Sequence, residues 1–172
     1  MYDPEPWPYT PAAEQKRPML YMHRFARLAE KSELAVFMAP SPSLVTVAGA
    51  DCSRKPGESM IKAFVRCGFP EAAAADSDIV DLQFQVLEGD SEVYSRFVRA
   101  AKRQCVRANP KVQVLSQLST SPGYSATVTT LREAALSVMG SVDGYYLSVA
   151  PAATRVGERF VRSLRPVSDA AP

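Results

Sequence analysis

At 172 residues, 47% hydrophobic and 22% charged, the chain is large enough to bury one core, and its composition marks it as an ordinary globular protein. Twenty basic against eighteen acidic residues leave a net charge of +2, and the basic residues are spread along helical stretches (Arg96, Arg99, Lys102, Arg103, Arg107), which argues against a nucleic-acid surface. No apolar run approaches the roughly 20 residues that span a bilayer, so no membrane association is expected, and the three cysteines (Cys52, Cys67, Cys105) and single histidine (His23) argue against a zinc site or a disulfide framework.

In chain order, Met1 to Pro11 holds four prolines and is expected to be a loop. It carries two carboxylates, Asp3 and Glu5, and Trp7, the only tryptophan. No signal peptide follows Met1, which makes the cytoplasm the default location. Pro18 starts a helix through Tyr21, Met22, Phe25 and Leu28, with His23 off the apolar stripe. Leu34 to Ala39 suits a strand buried on both faces, closed by Pro40 and Pro42. Residues 43–56 are expected to be a loop, Glu58 to Cys67 an amphipathic helix stopped by Gly68, and Pro70 the start of a short alanine-rich helix.

The next stretch, Ile79 to Val86, alternates most clearly: Val80, Leu82, Phe84 and Val86 on one face, Asp81, Gln83 and Gln85 on the other. Asp90 or Ser91 then caps the longest helix, in which Cys105 takes a buried position. Val112 to Leu118 is a strand, a helix opens at Thr127 or Thr130, Asp143 to Val149 is the last clear strand, and Val156, Phe160 and Leu164 form a final helical stripe. Residues 1–165 are expected to make a single α/β domain and 166–172 a polar tail.

Four strands alternating with helices imply parallel pairing with every strand end on one edge. The expected fold is therefore a partial TIM-type (β/α) barrel; an open doubly wound sheet is the alternative, although no glycine-rich phosphate fingerprint follows any strand. On that edge the sequence gathers a polar and aromatic set. Asp3, Glu5 and Glu88 are the candidate catalytic carboxylates, and Trp7, Asp81, Gln83, Gln85, Gln117, Ser119, Tyr146 and Ser148 the candidate ligand-binding residues. Amides donate and accept, and Trp and Tyr rings offer apolar faces, a combination suited to sugar hydroxyls.

Several stretches, Asp3-Pro4-Glu5-x-Trp7-x-x-Thr10-Pro11-x-x-Glu14-Gln15, Asp81-Leu82-Gln83-Phe84-Gln85, Val114 to Thr120 and Asp143 to Leu147, together resemble a group of poorly characterised, often secreted bacterial barrel proteins. That group is distantly similar to (β/α)-barrel glycoside hydrolases. The resemblance covers the chain to about Ala150 and contains no defined catalytic signature. It implies a protein that binds or acts on a hydroxyl-rich ligand such as a carbohydrate, without cofactor or metal. The alternative is a non-catalytic binding barrel, or one whose polar lumen is a structural layer with no ligand. Compared with that group, this chain is expected to lack the first strands, so completion by a second copy or another chain is expected as well.

Overall fold

Strand alternation organises the computed structural model of this protein, which describes residues 1–164. Four strands, β1 (Phe37–Met38), β2 (Ile79–Leu82), β3 (Gln113–Ser119) and β4 (Gly144–Ser148), pair in parallel and in chain order. A doubly wound sheet reverses its strand order at a switch point, and this sheet has no reversal. Val80, Leu82, Val114 and Leu118 face the helices and are buried, while Asp81, Gln83, Gln117 and Tyr146 line a cleft on the opposite face.

The N-terminal segment is part of the sheet, not a frayed terminus. The Tyr2 N–H donates to the Phe37 carbonyl (2.8 Å) and the Ala39 N–H to the Tyr2 carbonyl (2.9 Å), a parallel bridge on the outer side of β1. The Tyr2 ring stacks on Phe25 at 4.9 Å, on the helix side. By alternation Asp3 then belongs to the opposite face, and it lines the cleft there.

Among the described residues seven helices accompany the sheet: α1 (Ala12–Lys16), α2 (Pro18–Glu30), α3 (Met60–Arg66), α4 (Phe69–Ala75), α5 (Ser91–Ala108), α6 (Val128–Val138) and α7 (Thr154–Ser163). Their ends follow local chemistry. Pro18 opens α2 where no intrahelical N–H is needed, Asp90 accepts from the Val93 N–H at the start of α5, and Thr127 and Thr130 form a reciprocal capping box at the start of α6. Gly68, at φ 76°, lets the chain turn sharply from α3 into α4. Phe64 stacks on Phe69 at 4.8 Å and meets Phe84 edge-on at 5.9 Å, locking both short helices onto the sheet.

Three expectations need correction. The first strand is two residues long and not six, because Glu33 at φ 54° ends a turn that leaves Leu34 64% exposed. The central strand stops at Leu82, and Gln85–Leu87 form a 3-10 turn, so Val86 points outward and is 48% exposed. Cys52 and Cys67 form a disulfide, with Cα atoms 5.9 Å apart, where the cysteine count argued for none. The third cysteine, Cys105, is buried as expected, with its thiol pushed up to about 12 by burial. The polar tail at 166–172 lies outside the described residues.

Candidate functional site

The concave face of the sheet ends in a cleft of about 300 Å3, lined by Asp3, Glu5, Asp81, Gln83, Gln85, Gln117, Tyr146 and Ser148, with Met1 and Ala39. Its position follows from curvature. Three inter-strand steps of about 4.8 Å would hold side chains of β1 and β4 roughly 14 Å apart on a flat sheet. The Phe37 and Tyr146 rings are instead in edge contact, with centroids 6.3 Å apart, so the sheet curls around this face.

Gln83 fixes the N-terminal segment against the sheet. Its amide donates to Asp3 Oδ1 (2.8 Å) and to the Ala39 carbonyl (2.6 Å), which leaves it with an internal role as well as a place in the cleft wall. Behind the loop, Gln15 donates to the carbonyls of Trp7 (3.0 Å) and Thr10 (2.7 Å), and Pro4 is buried. The proline-rich loop is thereby tied down at both ends, and Glu5 projects into the cleft from it. Gln117 is held from the helix side: the Tyr94 hydroxyl donates to its backbone carbonyl at 2.9 Å and meets Ser116 Oγ at 2.7 Å.

Three carboxyl groups share this cleft. Burial, then the charge of Asp3, pushes Asp81 up to about 8. Asp3 is also raised by burial, against the opposing hydrogen bond from Gln83, and Glu5 is raised by burial and then by Asp3. At neutral pH Asp81 therefore holds a proton.

The cleft is also polar beyond what the protein itself satisfies. Asp81 Oδ1, Gln85 Oε1 and Gln117 Oε1 are buried without a hydrogen-bond partner among the described residues. Each buried polar atom left unpaired costs about 1–3 kcal/mol.

Not every residue selected from the sequence comes to this place. Glu88 is 1% exposed behind the end of β3, where its Oε1 accepts the Ser119 N–H at 2.6 Å, and it does not line the cleft. Ser119 is buried beside it, and its hydroxyl accepts the Ser121 N–H at 3.0 Å. Trp7 is 44% exposed against Tyr9, away from the cleft lining. Conversely, sequence reasoning placed Asp81 among the ligand-binding groups without the burial that raises its proton affinity. The signal was present: it is the one carboxyl on the inward face of the Ile79 strand, flanked by apolar neighbours that bury it. No family model, curated protein or solved structure matches this chain.

Proposed function

We propose that this protein is a glycoside-hydrolase-like, partial (β/α)-barrel protein that binds a carbohydrate in the cleft at the strand C-terminal ends. The observation that carries the reading is a polar cleft whose lining residues Asp81, Gln85 and Gln117 each keep a buried side-chain oxygen without a hydrogen-bond partner among the described residues. A polar layer of purely structural purpose would have to be closed by its own hydrogen bonds. This one is not closed among the described residues, which favours a ligand that brings partners.

At about 300 Å3 the cleft falls at the small end of ligand sites, about 300–1,000 Å3, and so takes one sugar-sized unit at a time. Tyr146, 39% exposed on the wall, offers a ring face for stacking. Glycoside hydrolysis needs a proton donor and a second carboxylate. Asp81 is the donor in this reading, because it keeps its proton to about pH 8, and Glu5, on the loop that Gln15 holds through the Trp7 and Thr10 carbonyls, is the base or nucleophile.

The sheet order supports the barrel half of the proposal. Counting the Tyr2 bridge, five parallel positions follow one another without reversal, and the contact between Phe37 and Tyr146 bends them toward closure. The outer positions remain open, and in this reading a second copy of the chain completes them.

Titration with a panel of neutral and amino oligosaccharides tests the proposal, followed by separation of products. Binding and cleavage are expected, with Glu5→Gln abolishing cleavage and leaving the melting temperature unchanged. Gln117→Leu should weaken binding about ten-fold, a loss of about 1.4 kcal/mol. Full cleavage by Glu5→Gln would remove that residue from the mechanism, and binding without any cleavage would leave a carbohydrate-binding module.

A further inference from the structure

Helix α1, which follows the proline-rich loop carrying Glu5, buries no residue, so hydrogen bonds fix its place. On the loop side, Gln15 donates to the Trp7 and Thr10 carbonyls and the Tyr2 hydroxyl donates to Glu14. On the other side, the Asp51 N–H donates to the Lys16 carbonyl at the end of α1 (3.0 Å), with the Arg17 and Asp51 side chains 3.7 Å apart. The segment that contains Asp51 meets the loop a second time where the Ser41 N–H donates to the Pro4 carbonyl (3.1 Å), and it folds back on itself through the Arg54 N–H and the Val45 carbonyl (2.9 Å).

Asp51 is next in sequence to Cys52, and Cys52 is bonded to Cys67 at the end of α3. Helix α3 is a fixed point, because Ile61, Ala63 and Phe64 are buried. Residues 53–57 are exposed and have no helix or strand of their own. Beside the disulfide, Arg66 donates to the Ser53 carbonyl (2.8 Å) and to Cys52 Sγ (3.6 Å). Those hydrogen bonds exchange with water, whereas the sulfur bond does not. Cys52 and Cys67 are both partly exposed, which puts them in reach of a thiol in solution.

We propose that the Cys52–Cys67 pair is a redox switch that sets the order of the proline-rich loop, and thereby the place of Glu5 in the cleft. The reductant is an external dithiol. Its first thiolate attacks Cys67 Sγ; a bond forms between those two sulfurs, and the Cys52–Cys67 bond breaks with its electron pair on Cys52 Sγ. The Arg66 guanidinium stabilises that negative charge until water supplies a proton. The second thiolate of the dithiol then displaces Cys67 Sγ, so the protein gains two electrons and two protons and the dithiol becomes a disulfide. Freed from α3, residues 51–54 release the Lys16 carbonyl, α1 loses its outer tether, and Gln15 no longer holds Trp7 and Thr10 in one place.

Trp7, the only tryptophan, lies in the loop and reports on it directly. The experiment is acrylamide quenching of its emission in the full chain, oxidised and after dithiothreitol, with thiol titration and far-UV circular dichroism in parallel. Reduction is expected to raise the quenching constant about two-fold, since Trp7 is 44% exposed in the tethered loop. The circular dichroism should not change, and oxidised glutathione should restore the first value. Cys105→Ala should keep the response, because Cys105 is the buried free thiol and not one of the pair. Cys67→Ser should show the raised constant from the outset and ignore dithiothreitol. Trapping with a monothiol and then iodoacetamide is expected to leave the mixed disulfide on Cys67 and the alkyl group on Cys52; the reverse pattern would overturn Cys52 as the leaving group. Quenching that stays constant through complete reduction would overturn the switch, as would loss of the circular dichroism signal on reduction, which would make the bond a link of the whole fold.

Discussion

Glu88 and Asp81 are both almost wholly buried carboxyl groups held protonated to about pH 8, yet their surroundings differ. Asp81 opens on a cleft, whereas Glu88 is closed in behind β3, with burial as the main cause of its shift and the Ser119 N–H opposing it. Its other oxygen has no partner among the described residues. An unfolded chain releases this proton near the ordinary glutamate value of 4.5, while the folded protein keeps it to about 8. Between those limits the native state binds more protons than the unfolded state, so stability falls as pH rises through that window. Glu88→Gln keeps the acceptor for the Ser119 N–H and removes the ionisation. It is expected to raise the melting temperature at pH 8 and to leave it nearly unchanged at pH 5, as measured by thermal denaturation at the two pH values. An equal effect at both would mean that Glu88 does not carry this pH dependence. Asp81→Asn removes the same kind of penalty, so a gain in stability at pH 8 together with lost cleavage would mark it as a site residue held at a cost to the fold.

Among the elements, the segment between β1 and α3 depends most on a single link. It contains a 3-10 turn at Pro42–Thr46 and little other regular structure up to Ser59. The Cys52–Cys67 disulfide fastens its middle to the end of α3 across 15 residues, and Arg66 reinforces the join by donating to both Glu58 oxygens (2.8 and 2.9 Å) and to the Ser53 carbonyl (2.8 Å). Closing a loop of that length restricts the unfolded chain by about 3 kcal/mol. Cys52→Ser is therefore expected to lower unfolding stability by about that amount, as a shift in the denaturant midpoint that reductant reproduces in the unmodified protein. A reductant-insensitive midpoint would mean the two thiols are not bonded. This pairing could not be read from cysteine spacing, because the approach of residues 52 and 67 depends on how the loop folds back over α3. Periodicity did locate the helices and the four strands, since Val80, Leu82, Val98, Val114 and Leu131 are buried as their spacing implies. It overextended the first and central strands because a run of apolar residues does not reveal where hydrogen-bonded pairing stops, as Leu34 and Val86 illustrate. Alternation also identified Asp81, Gln83 and Gln117 as inward-facing, but Glu88 follows a 3-10 turn that redirects the chain and Ser119 is the last paired residue of β3, and neither lines the cleft.

On the scale of the whole molecule, the sheet has two sides without a paired strand among the described residues. Outside β4, Leu147 and Val149 form an apolar groove with Gly157 and Val161 of α7, in which Val149 and Val161 are 41% and 48% exposed. Outside the Tyr2 bridge, a second groove runs along Tyr21, Phe25 and Leu28 of α2, with Leu28 65% exposed. Each is bordered by one acidic and one basic residue, Glu158 and Arg162 at the first, Glu14 and Arg24 at the second. Exposed sheet edges beside apolar surface are ordinarily covered or paired. Pairing β4 of one copy with the Tyr2 segment of another extends the sheet in parallel, and repeating the contact about a two-fold axis closes the ring without leaving an edge. The expected outcome is a dimer in sedimentation at micromolar concentration. Val161→Lys, which alters an exposed position and leaves the core intact, should shift that dimer to monomer with little change in the circular dichroism spectrum. An unmodified chain that sediments as a monomer and melts in one cooperative transition would overturn closure by a second copy, and the curled sheet would then be stable with both edges open.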